Sequence, residues 1–160
     1  MSTTTIEIQD WLDCLSYVTN DYAAHHLRFD ASAPAPTASA PGEPRPAVYV
    51  AILGSKISMH LGIVTSVQGA QALTRAFLGL RGQESVDEGD VVDGMSEILN
   101  ILAGKVKSRM SARDGSLRLG LPMYVSGAVG HGDGIERAVV DVAVGPVPCQ
   151  LHVFRQNRQE

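Results

Sequence analysis

The sequence predicts an α+β fold of two layers, an antiparallel six-stranded sheet packed by three helices. Apolar residues recur at helical intervals in three segments and alternate in six shorter ones. The expected strands gather before and after a pair of helices, without the regular alternation that builds parallel sheets. At 160 residues, with 44% hydrophobic and 19% charged content, the chain is long and apolar enough to bury the core of one domain spanning residues 1–160.

The elements follow in order. Residues 6–24 read as a first helix, with Ile6, Trp11, Leu12, Leu15, Val18 and Tyr22 at helical spacing and acidic Glu7 and Asp10 near its start. Residues 25–30, starting with His25 and His26, read as a short strand. Residues 31–46 hold five of the eight prolines and almost no large apolar side chain, which describes a flexible, partly extended loop. Such a stretch serves either as a spacer or as a proline-recognition ligand. Residues 47–53 and 57–64 alternate as two strands around a Gly54-Ser55 turn. A second helix covers 68–80, with Gly82 of Arg81-Gly82-Gln83 as its expected C-cap. Ser85 and Glu88 have capping-box spacing for a third helix that runs to about Met110. Strands are expected at 117–126, 136–144 and 148–155. There is no internal repeat.

Several function classes are disfavoured. A net charge of −4 without a basic stripe does not suit nucleic-acid binding. No apolar run approaches the ~20 residues of a membrane span, and the N-terminal residues lack a signal-peptide pattern, so a cytoplasmic protein is expected. Cys14 and Cys149 read as free buried thiols; a disulfide between them is the alternative, which no close spacing supports. His25, His26, His60, His131 and His152 lack metal-ligand spacing, so no metal site is expected. Ser55 and Ser126 have no adjacent base. The glycine-rich run at 127–134 precedes a strand rather than a helix, so it reads as a hairpin loop and not as a phosphate cradle.

The third helix carries the candidate site. Val91, Met95, Ile98, Leu99, Leu102, Val106 and Met110 fall on one side of it. Glu97 and Asn100 fall together on the other, beside Asp93, Gly104 and Lys107. A solvated helix face shows the same pattern. Asn is, however, a middling helix former, because its side chain competes for backbone hydrogen bonds, and Gly104 costs about 1 kcal/mol relative to Ala. A helix that carries both on one face has reason to be using that face.

The spacing Asp93-x-x-x-Glu97-Ile98-Leu99-Asn100-x-x-Ala103-Gly104-x-x-Lys107 resembles the signature helix of the CheC/CheX/FliY phosphatases: Glu, two residues, Asn, then an alanine-glycine step. Residues 119–127 resemble the strand that follows that helix in CheX proteins, and the hairpin at 47–64 followed by a helix matches the family order. One such helix rather than two makes the chain similar to the CheX type. The loop at 31–46 is longer than that pattern expects. The resemblance implies a phosphatase acting on the aspartyl phosphate of a CheY-like response regulator. It implies Asn100 orienting the attacking water, Glu97 paired with a receiver lysine, and Asp93, Ser96, Gly104 and Lys107 contacting the partner. It also implies no cofactor of the chain's own, Mg²⁺ held by the receiver, and a homodimer whose sheets join. A non-catalytic module that binds a response regulator or flagellar-switch partner is the alternative. Structural switch subunits of related fold lack the Glu/Asn pair.

Overall fold

A computed structural model describes residues 5–82, 84–127, 130 and 132–158. The elements run α1 (Ile8–His26), β1 (Pro46–Leu53), β2 (Ile57–Thr65), α2 (Val67–Leu78), α3 (Glu88–Met110), β3 (Arg118–Ser126), β4 (Ile135–Val144) and β5 (Val147–Asn157). The sheet has five strands in the order β3-β1-β2-β5-β4, and every neighbouring pair is antiparallel. Alternate residues of the central strands point to a helical layer. Val48, Val50, Ile52, Met59, Leu61, Ile63, Leu151 and Val153 pack there with Trp11, Leu15, Leu73, Met95, Leu99 and Leu102. The other sheet face carries a smaller cluster of Ala47, Tyr49, Val64 and Phe154.

The sixth strand expected at 25–30 does not form. His25 and His26 complete the last turn of α1, where His25 bonds the Asp21 carbonyl at 2.8 Å and His26 stacks on Tyr22 at 5.2 Å. Both are i,i+4 contacts that only a helix provides. The chain then turns onto α2, through an Arg28 N–H that donates to the Ala76 carbonyl, and Leu27 is buried.

Capping differs from expectation in two places. α3 begins with a reciprocal box between Asp87 and Asp90, two residues beyond the expected Ser85/Glu88 pair. Val86, just ahead of the cap, packs against the core that holds Val91, which fixes the entry of the chain as a hydrophobic staple does. α2 ends at Gly79, in the left-handed region at φ 70°, not at Gly82; Gln83 lies outside the described residues.

The glycine-rich segment is not a hairpin. Four antiparallel steps separate β3 from β4, so these edge strands run the same way and 127–134 connects opposite edges of the sheet. Ala128, Val129 and His131 of that segment lie outside the described residues. Gly145 makes the tight β4–β5 turn at φ 58°, with the Phe29 ring against it.

Candidate functional site on the third helix

Helix α3 presents the predicted pattern. Val91, Met95, Ile98, Leu99, Leu102, Val106 and Met110 are all buried. Glu97 and Asp93 are exposed, and Ser96, Asn100, Gly104 and Lys107 are partly so. The helical repeat stacks Asp93, Glu97 and Gly104 into a crest about 17 Å long. Ser96, Asn100 and Lys107 share one flank of that crest, and Ile101 and Lys105 the other. Among the described residues no hydrogen bond or ion pair occupies the Glu97 carboxylate or the Asn100 amide, so both are free to meet another molecule.

Two glycines of α3 have opposite surroundings. A Cβ on Gly104 would meet nothing within 4 Å, so this part of the crest is bare. A Cβ on Gly94 would lie 2.9 Å from Cγ2 of Thr74, so this glycine allows α2 to pack closely. Gly94 was not apparent as a packing residue from spacing, because its partner lies on another helix.

Shallow grooves flank the crest. One, of about 500 Å³, is lined by Phe77 and Leu78 of α2 with Asp90, Asp93, Ser96 and Glu97. The other, of about 610 Å³, runs between α1 and α3 and is lined by Val18, Asp21, Ile101, Gly104, Lys105 and Arg109. The predicted residues thus divide: Asp93, Ser96 and Glu97 meet at the first groove and Gly104 lies at the second. Asn100 and Lys107 line neither. Lys105, not anticipated, stands at the second.

Tyr22 of α1 is a further neighbour that spacing alone did not single out. Burial and then the charge of Glu97 raise its phenol pKa. Arg109 lies over the Tyr17 ring at 4.3 Å, which steadies the α1 side of the second groove. Among the described residues no three His, Cys, Asp or Glu side chains come together as a metal cluster. Cys14 and Cys149 are free, and burial pushes the Cys149 thiol up to about 11. Among the described residues no helix is long and apolar enough to cross a membrane.

A sheet covered on one face by three helices is an architecture shared with solved chemotaxis proteins. The chain is similar to the chemotaxis protein CheX from Vibrio vulnificus, at TM-score 0.68 and 14% identity over 95% of this chain and all of that one. It is similar to a CheC-like superfamily protein from Shewanella sp. PV-4, at 0.66 and 18% identity over 96% and 99% of the two chains. It also resembles a CheX–CheY–BeF₃–Mg²⁺ complex from Borrelia burgdorferi, at 0.66 and 17% identity over 96% and 99%. The family model described as chemotaxis phosphatase CheX matches residues 47–138, a stretch that includes all of α3. The chain belongs to the CheX family. No curated protein matched it.

Proposed function

We propose that this chain hydrolyses the aspartyl phosphate of a CheY-like response regulator, using the exposed crest of α3. The observation that carries the reading is the Glu97/Asn100 pair, without a side-chain hydrogen bond or ion pair among the described residues, on a rigid helix beside the bare surface at Gly104, in a CheX-family chain. Phosphoryl transfer asks mostly for positioning and charge stabilisation. In this scheme a water attacks phosphorus, the bond from phosphorus to the aspartyl oxygen breaks, and inorganic phosphate and a free carboxylate result. The Asn100 carboxamide donates to one atom and accepts from another, so it can orient that water without a titration. Glu97 pairs with a lysine of the receiver, and docking desolvates the pair. Asp93, Ser96, Gly104 and Lys107 contact the receiver, which supplies Mg²⁺ to offset phosphate charge. A homodimer joined through the sheets completes the proposal.

The test is phosphate release from phosphorylated receivers. Asn100→Ala is expected to bind the receiver but lose about 10²-fold or more in rate, the scale of removing one positioned polar group. Glu97→Ala weakens both binding and rate. Wild-type hydrolysis by both variants would refute the site. A receiver that binds but is never dephosphorylated would instead support the alternative, a docking module. Light scattering that gives a monomer at micromolar concentration would refute the dimer.

A further inference from the structure

The segment that replaces the expected first strand builds a cavity away from α3. It measures about 580 Å³ and lies between residues 28–37, the outward side of α2 and a wall of Leu80, Gly82, Ser85 and Val86. Its walls are tied down. The Thr37 hydroxyl donates to Gln68 Oε1 at 2.9 Å, and Ser66 Oγ donates to the Thr37 carbonyl at 2.8 Å. Asp30 takes the Gly82 N–H at 2.7 Å and both donors of Ser32. Pro34 and Pro36, which also line the cavity, lower the entropy lost in fixing that wall.

The charges in this cavity are unusual for an acidic chain. The charged side chains that line it are Arg28, Arg75 and Asp30, a balance of +1 in a protein of net charge −4. The Arg28 N–H bonds the carbonyl of Ala76, the residue after Arg75, which sets two like-charged positions side by side. Among the described residues neither arginine has a carboxylate within salt-bridge distance; Arg75 reaches only the Glu84 carbonyl, at 3.3 Å. Asp30 forms no ion pair with either arginine: its oxygens accept from Ser32 and the Gly82 N–H, and its charge leaves the lining at the balance of +1. Phe29, Ala72, Leu80 and Val86 give the same cavity an apolar lining, and its size is that of a small-molecule site.

We propose that this cavity binds a small amphipathic anion, a phosphate, sulfonate or carboxylate group at Arg28 and Arg75 with an apolar body against Phe29, Ala72 and Val86. No residue of the α3 crest lines this cavity, so the proposal is independent of the phosphatase reading.

Titration of the folded full chain with anilinonaphthalene sulfonate tests it, since that dye joins an aromatic body to one anion. Saturable binding that weakens with salt is expected. The Kd should rise at least tenfold, about 1.4 kcal/mol, in the Arg28→Gln/Arg75→Gln double variant, and also in Ala72→Trp, which fills the cavity. Glu97→Ala should bind the dye as wild type does. Thermal melts followed by circular dichroism show that the variants fold, and the two arginine changes, at an exposed and a half-exposed site, serve if Ala72→Trp does not. A native chain without saturable binding, or binding unchanged in the double arginine variant, would overturn the proposal.

Discussion

The two glycines of α3 make a paired prediction. Alanine at position 104 removes the helix penalty of glycine, about 1 kcal/mol, and its methyl group meets no atom within 4 Å. Gly104→Ala should therefore be more stable than wild type by about 1 kcal/mol, or roughly 2–4 °C in Tm for a chain of this size. Alanine at position 94 gains the same propensity term but places its methyl 2.9 Å from Thr74 Cγ2 and 3.1 Å from Thr74 Oγ1. Thr74 is fully buried and its hydroxyl donates to the Ala70 carbonyl at 2.8 Å, so it has no easy rotamer to yield into. Overpacking of this kind costs about 1–3 kcal/mol, which leaves Gly94→Ala neutral to about 2 kcal/mol less stable than wild type. The two variants should differ by about 1–3 kcal/mol. Urea unfolding followed by fluorescence of the single, fully buried Trp11 measures it. Equal shifts of the same sign, or a destabilised Gly104→Ala, would refute this account of the helix. Because a docked partner would meet the new methyl on the crest, the more stable Gly104→Ala should also release phosphate from the receiver more slowly.

Three further outcomes are expected. His152 is held neutral, its pKa lowered to about 4 by burial and by the charges of Arg137 and Arg45, while the Tyr49 hydroxyl and Gln150 adjoin its ring. Its ordinary value is 6.5. Between those values the unfolded chain binds the proton and the folded chain does not, so stability should fall as pH drops from about 6.5 to about 4. The loss should be about 1–2 kcal/mol, less than the full conversion of the shift because the sheet face stays partly wet; urea midpoints against pH should flatten in His152→Phe. Leu102→Ala empties a position only 1% exposed between helix and sheet and should cost about 2–5 kcal/mol by the same unfolding assay. Gly145→Ala combines a left-handed φ of 58° with the Phe29 ring in the way of its methyl. It should cost at least about 1 kcal/mol, read as a lowered Tm, and Phe29→Ala should recover part of that loss.

The legible parts of this chain are those whose signal is local. The core stripe and polar crest of α3 follow from one periodicity, and the β1–β2 hairpin from alternation around a turn, where the Gly54 N–H bonds the Ile57 carbonyl at 2.9 Å. What spacing missed depends on contacts made elsewhere. Residues 25–30 have an acceptable strand composition, yet composition does not say whether a segment reaches a sheet edge, and this one pairs with neither β3 nor β4. His25 and His26 instead find partners one turn back in α1, and Leu27 finds the core. The run at 127–134 has the composition of a hairpin loop, but loop chemistry does not say which strands it joins; that follows from the whole order β3-β1-β2-β5-β4. The site shows the same division. Glu97, Asn100 and Gly104 were readable because one helix sets their spacing. Tyr22, Leu78 and Lys105 border the crest only because α1 and α2 pack beside α3, and the close approach of α2 depends on Gly94 having no side chain against Thr74. A substitution at Gly94 should therefore disturb the groove beside Glu97 while leaving the Glu97/Asn100 spacing intact, a defect that the sequence motif alone would not reveal.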